Sequence, residues 1–265
     1  GNEAVDTLLT DERVQAVSFV VSTAIARYIY NTASENDKSC RALGGAKNHA
    51  IVMQDAEMEN TVNALIGAAF GSSGERCMAI SVVVAVGSET ADNLIAGLKS
   101  KMNDLKVGNF DNSKNDFGPL ITKDHMEKVK GYITSAEAQG ADIVVDGRSV
   151  NVKGCENGFY VGGTLIDCVE ASMESYQNEI FGPVLQVVRV ETMQQAIDLI
   201  DEHEYGNGTC IFTRDGEAAR YFSDQIKVGM VGINVPLPVP AAQHRFGGWK
   251  QSMFSDLAPH GPDSV

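Results

Sequence analysis

Short runs of apolar and β-branched residues alternate with longer stretches of helical periodicity along this chain, and few folds accommodate that order. Residues 49–53, 81–87, 142–145, 184–190, 209–212 and 228–235 read as strands. Residues 60–70, with Asp55 as the cap before them, 89–102, 123–139, 193–202 and 216–224 read as helices. The expectation is an α/β fold, a mostly parallel sheet covered by helices. Residues 104–118 are polar and turn-rich and read as a surface connection. Pro236, Pro238 and Pro240 close the last strand, because alternate prolines cannot join a hydrogen-bonded ladder.

One segment carries chemistry. Gly71-Ser72-Ser73-Gly74-Glu75-Arg76-Cys77-Met78-Ala79 sets a thiol just after a small, glycine-rich turn and beside a fixed positive charge. The Arg76 guanidinium, and a helix start if one lies close by, favour thiolate over thiol. Gly71 and Gly74 leave room for a substrate or cofactor near the backbone. Cys77 is therefore the candidate catalytic nucleophile. The competing reading is a buried structural thiol, the commoner state of cysteine in folded chains.

Cys40, Cys155, Cys168 and Cys210 complete an odd set of five with no Cys-x-x-Cys pair, which favours reduced thiols over a disulfide frame or a zinc site. A reducing compartment follows, the cytoplasm first and the mitochondrial matrix as the other option. With 265 residues, 43% of them hydrophobic, the chain can bury a core as one domain or a domain plus an appendage. A formal net charge of −14 argues against nucleic acid or an anionic membrane surface as a partner. No apolar run is long enough to span a bilayer. His49, His125, His203, His244 and His260 show no metal-ligand spacing, so no metal site is expected.

Four segments occur in a telling order: Ala42-Leu43-Gly44-Gly45-Ala46-Lys47-Asn48-His49, the Cys77 segment, Glu179-Ile180-Phe181-Gly182-Pro183-Val184, and Phe246-Gly247-Gly248-Trp249-Lys250-Gln251-Ser252. Together they resemble the signatures of the aldehyde dehydrogenase superfamily. Within it, the Gly-Ala-Lys-Asn-His form of the first segment, Tyr205-Gly206-Asn207-Gly208-Thr209, and Ile233-Asn234-Val235-Pro236-Leu237-Pro238-Val239-Pro240 resemble the methylmalonate-semialdehyde dehydrogenases. The resemblance runs over essentially the whole chain and matches the C-terminal part of such enzymes. It implies the catalytic domain of that fold, truncated at the N-terminus. Residues 1–43 would end the NAD-binding domain, 44–249 form the catalytic domain, and 250–265 return as a tail toward the former. The parent family forms homo-oligomers.

The resemblance implies a reaction in which the Cys77 thiolate attacks an aldehyde carbon and hydride then leaves for NAD, giving a thioacyl enzyme. Hydrolytic relatives next activate water with a glutamate at the head of the first segment. Ala42 stands there and cannot take a proton. The expectation is therefore acyl transfer to coenzyme A as co-substrate, converting methylmalonate or malonate semialdehyde to propionyl-CoA or acetyl-CoA with loss of CO2. Arg76 is the candidate for the substrate carboxylate, against the plainer reading of an arginine paired with an internal acid. Phe246 and Asn234 resemble residues near the substrate pocket, against simple packing and strand-end hydrogen bonding.

For the cofactor, Glu179 resembles the residue that holds the nicotinamide ribose hydroxyls, and Phe181 the aromatic wall beside it. Phe19-Val20-Val21-Ser22-Thr23 resembles the turn in which Ser22 faces the pyrophosphate. Val21 stands where relatives carry glycine and adds bulk there. That change, and Ser255 after Phe254 where the family has glycine, favour a second reading: a divergent or incomplete chain with no turnover of its own. A third, a thiol hydrolase pairing Cys77 with a histidine base, has no histidine aligned for it by sequence.

Overall fold

In the computed structural model, which describes residues 2–255, 257–258 and 260–262, the apolar runs become strands with both faces covered. The amino-terminal part contains α1 (Asn2–Thr10), β1 (Ala16–Val20), α2 (Thr23–Glu35) and β2 (Ser39–Leu43). Then follow β3 (Asn48–Val52), α3 (Met58–Phe70), β4 (Ile80–Val86), α4 (Ser88–Met102), α5 (Lys123–Ala138), β5 (Asp142–Val145), β6 (Thr164–Asp167) and α6 (Glu174–Gln177). The chain continues through β7 (Val184–Val190), α7 (Met193–Glu202), β8 (Tyr205–Gly206), β9 (Gly208–Phe212), α8 (Gly216–Gln225), β10 (Met230–Ile233), β11 (Trp249–Lys250) and β12 (Met253–Phe254).

The main sheet has the order β10-β9-β3-β4-β7-β6-β5, parallel throughout except for β5, which runs antiparallel to β6. Its strands feed two cores by simple alternation. Along β4, Val82, Val84 and Val86 join Val129 and Ile133 of α5, Ile197 of α7 and Phe222 of α8. Val83 and Ala85 join Leu65 and Phe70 of α3 and Leu94 and Leu98 of α4 in the second core. Burial on both faces is why these strands read as continuous apolar runs rather than as alternating ones. Each fully buried leucine or valine contributes about 1.5–3 kcal/mol.

A smaller sheet, β1-β2-β12, carries α1 and α2 over Val17, with Leu9, Ile29 and Ala33 buried beneath. Residue β12 pairs return the chain to β2, Met253 opposite Leu43 and Phe254 opposite Ala42. The chain crosses from this sheet to the main one at Gly44–Lys47.

The strands and helices expected from periodicity occur within two residues of their expected ends. The cap is different. Glu57, not Asp55, precedes α3 and accepts the Asn60 N–H at 2.8 Å. Asp55 instead accepts from the Thr213 hydroxyl at 2.9 Å and the Arg214 N–H at 2.7 Å, tying β3 to the end of β9. Pairing across the sheet gives Asp55 stronger partners than its own helix could. Strand β6 and helix α6, of four residues each, emerge only in three dimensions. No helix among the described residues is long and apolar enough to cross a membrane.

Candidate active site

Parallel strands start on the same side of their sheet, so segments far apart in sequence converge there. Asn48 opens β3, Cys77 lies just before β4, Glu179 just before β7 and Asn207 just before β9. This is the amino edge of the sheet, whereas open α/β sheets commonly use the carboxyl edge.

Cys77 has an exposed side chain, and its peptide is clamped. The carbonyl accepts from the Asn48 amide at 2.8 Å and from the Asn207 amide at 2.9 Å. Asn48 also donates to the Ala79 carbonyl at 3.0 Å, and its own side-chain oxygen accepts the Gly208 N–H at 3.0 Å. Asn207 reaches the Met78 sulfur at 3.1 Å. Both asparagines stand inside the segments quoted above, but nothing in their spacing announced that they meet at one carbonyl.

The thiol is not activated in the way its sequence context suggests. The cleft walls remove enough water to push the Cys77 thiol above its ordinary value, and the Glu179 charge adds to this. The Cys77 and Met78 N–H groups pull the other way, with Arg76 the weakest contributor. No helix begins at Cys77. Residues Gly71–Gly74 form a single 3-10 turn in which Ser72 and Ser73 take φ of 53° and 59°. The turn glycines serve packing rather than ligand access. A Cβ on Gly71 would stand 2.9 Å from the Arg76 guanidinium, and one on Gly74 2.2 Å from the Gly182 carbonyl oxygen.

Among the described residues, Arg76 pairs with no acid within salt-bridge distance. One terminal nitrogen donates to the Gly67 and Ala68 carbonyls at the end of α3, at 2.7 and 3.0 Å. Its Nε is buried, with no hydrogen-bond partner among the described residues. Phe246 packs with Leu43, Met78 and Met230, and its ring lies 5.4 Å from that of His260. Asn234, at φ 57°, bonds both the N–H and the carbonyl of Thr213, so strand-end bonding is its observed work. Ala42 is buried in β2.

A cleft of about 420 Å³ joins Cys77 to Val21, Ser22, Glu179 and Phe181, and adds His125 and Lys128, which the sequence did not single out. Ser22 is the N-cap of α2, and its hydroxyl is not spent on capping. Val21 fits because its N–H joins the Leu43 carbonyl at 3.1 Å as the β1–β2 ladder ends. Glu179 accepts the Ala46 N–H at 3.0 Å. A Cβ on Gly45 would meet its other oxygen at 2.8 Å and the Thr23 hydroxyl at 2.9 Å, so this glycine leaves the carboxylate its place. Burial raises Glu179 above the usual carboxylate value, with Lys47 pulling it back. Phe181 takes φ 56°, and the His125 ring bonds its carbonyl at 2.7 Å. His125 also lies 3.7 Å from Glu75, which links the cofactor side of the cleft to the cysteine loop.

The last quoted segment secures this edge. Lys250 donates to the Ile200, Asp201 and His203 carbonyls at the end of α7. Ser252 donates to the Gly45 carbonyl at 2.7 Å and accepts the Gly206 N–H at 3.1 Å. Among the described residues, no group of three or more histidine, cysteine or acidic side chains could hold a metal ion.

The profile of the aldehyde dehydrogenase family matches residues 1–264. The malonate-semialdehyde dehydrogenase of Pseudomonas aeruginosa is 59% identical over 263 residues, covering 99% of this chain and 53% of that protein. Among solved structures, the methylmalonate-semialdehyde dehydrogenase from Oceanimonas doudoroffii superposes with a TM-score of 0.98 at 71% identity, covering 99% of this chain and 54% of that one. A Sinorhizobium meliloti protein assigned the same activity, and complexed with NAD, gives 0.99 at 52% identity, covering 100% of this chain and 54% of its own. The chain thus spans about half the length of the relatives it matches.

Proposed function

The chain belongs to the aldehyde dehydrogenase family, and on that premise we propose that it is the catalytic portion of an NAD-dependent, CoA-acylating dehydrogenase of methylmalonate or malonate semialdehyde. Residues 44–249 would be the catalytic domain, with 1–43 completing the nucleotide site and 250–265 returning to it. The observation that carries the reading is the clamped Cys77 in one cleft with Glu179, Phe181 and Ser22. The residues fit NAD, since a buried carboxylate lies where Gly45 leaves space and the hydroxyl of Ser22, at the start of α2, is not spent on capping.

Cys77 would attack the aldehyde carbon as thiolate, forming a C–S bond and an oxyanion that its own N–H stabilises. Asn48 and Asn207 hold that peptide still, so no rotation is needed as charge develops. NAD, when bound, supplies the acceptor for the hydride. Glu179 would hold the ribose and Phe181 would wall the ring. The β-carboxylate of the resulting thioester on Cys77 would leave as CO2, the C–C bonding pair staying on the α-carbon, which takes up a proton from solvent. The thiolate of coenzyme A then takes the acyl carbon and releases the Cys77 thiolate. Arg76, the cation beside the nucleophile, would bind the substrate carboxylate beforehand. Ala42 leaves no base for water at its position, which favours the thiol acceptor.

The test is NADH formation from malonate semialdehyde with NAD and coenzyme A, comparing the chain with Cys77→Ala. Cys77-dependent NADH that requires coenzyme A for turnover is the expected result. NADH with free acid as product would overturn the acylating reading. The raised Cys77 thiol favours a second reading, in which the chain holds the site but turns over only with the remainder of the enzyme supplied. Silence of the folded chain, relieved by adding that remainder, is its signature.

A further inference from the structure

We propose that Lys47 is a positioning residue that holds the Glu179 carboxylate against the Cys77 cleft. Lys47 is 3% exposed, and lysine is rarely buried so deeply without a specific partner. Its Nζ reaches out of the crossing segment into the far loop, donating to the Ser175 carbonyl at 2.6 Å and the Asn178 carbonyl at 2.8 Å. Ser175 lies within the short helix α6 and Asn178 is its C-cap, directly before Glu179. The neighbouring Ala46 N–H binds the Glu179 carboxylate itself, and Gly45 leaves it room. Three consecutive residues thus supply space, a donor and a tether to one side chain.

Gln186 donates to the Ser175 carbonyl at 2.9 Å from β7, so the tethered loop is also gripped from beneath. Without Lys47, the Ser175 and Asn178 carbonyls would each lose a donor, and α6 has too few residues to hold the loop through its own ladder. Glu179 would then leave the Cys77 wall. Burial lowers the Lys47 ammonium to about 7 and Glu179 draws it back up, so neither group is indifferent to the other.

The effect on the cofactor rests on reading Glu179 as the ribose contact, whereas the tether itself does not. Because the Glu179 charge opposes thiolate formation at Cys77, alkylation of Cys77 by iodoacetamide reports where that carboxylate sits. The rate is read at the Cys77 peptide by mass spectrometry, at pH 8, in the full chain. Glu179→Gln is expected to raise it about twofold by removing the opposing charge. Lys47→Met should raise it similarly, Lys47→Arg should stay near the parent, and Lys47→Met added to Glu179→Gln should change nothing further. Should Lys47→Met unfold, Lys47→Gln is read in its place, with faster amide exchange at Ala46 as the accompanying signature. An unchanged rate in the folded Lys47 variant, or full additivity in the double variant, overturns the proposal; so does an unchanged rate in Glu179→Gln. NAD titrated into the same proteins separates the two ideas. Coupled alkylation rates with NAD binding indifferent to Glu179 would sink the ribose assignment and leave the tether standing.

Discussion

Asn48 donates its side-chain amide to the Cys77 carbonyl at 2.8 Å across 29 residues of sequence, and this bond fixes the orientation of the nucleophile's peptide. Buried at 2% exposure, Asn48 also satisfies the Ala79 carbonyl and the Gly208 N–H. Asn48→Ala therefore leaves three backbone groups short of a partner. Urea unfolding should show a loss on the order of 2–4 kcal/mol. Asn207→Ala, which leaves the Asn48 bond to Cys77 in place, should cost only about 1–2 kcal/mol. Equal losses would contradict this division.

Cys77 titrates above the ordinary thiol because its surroundings are poorly hydrated and Glu179 lies near. At pH 7 its alkylation should be slower than that of a free cysteine peptide. The rate should still be climbing at the pH where that of the peptide has levelled off. A plateau below pH 8 would show that Arg76 and the local N–H groups outweigh burial.

His203 is buried against Tyr176 and is lowered by that burial to about 4, from an ordinary 6.5. Between those values the unfolded chain holds the proton more tightly than the folded one. Its contribution is present in full above pH 6.5 and is lost as pH falls toward 4, about 3 kcal/mol in all. His49, whose ring lies 5.5 Å from that of His203 and is also lowered by burial, steepens the loss. Unfolding free energy measured from pH 8 to 4 should fall across that window, and His203→Gln should flatten the curve.

Ala42 is 1% exposed in the middle strand of the small sheet. Ala42→Glu should therefore destabilise the fold by about 3 kcal/mol or more, as an unpaired carboxylate enters a packed site. Thermal unfolding settles it. A variant that melts like the parent and releases free acid would show that the position opens onto the thioester after all.

Much of the main sheet was legible beforehand. Val184–Val190 and Met193–Glu202 fall where periodicity put them, because a buried parallel strand and an amphipathic helix each write their burial pattern into consecutive residues. Cys77 and Glu179 were legible as ordered segments of a family. The single-turn α6 was not, since four residues carry no helical period, and Asp55 misled because its best partners, Thr213 and Arg214, lie more than 150 residues away.

Sequence alone determined the chemistry on offer: one thiol in a glycine-rich turn, a carboxylate in the Glu179 segment, an alanine where a water-activating base would stand. Tertiary structure decided how those groups work. It set Cys77 under two asparagine amides, spent part of Arg76 on the end of α3, packed Phe246 on Met78, bonded Asn234 to Thr213, and tied Lys47 to the loop before Glu179. The reason is geometric. Residue types and local periodicity are written along the chain, whereas hydrogen bonding and desolvation depend on which strand starts lie side by side, and only the closed parallel sheet fixes that.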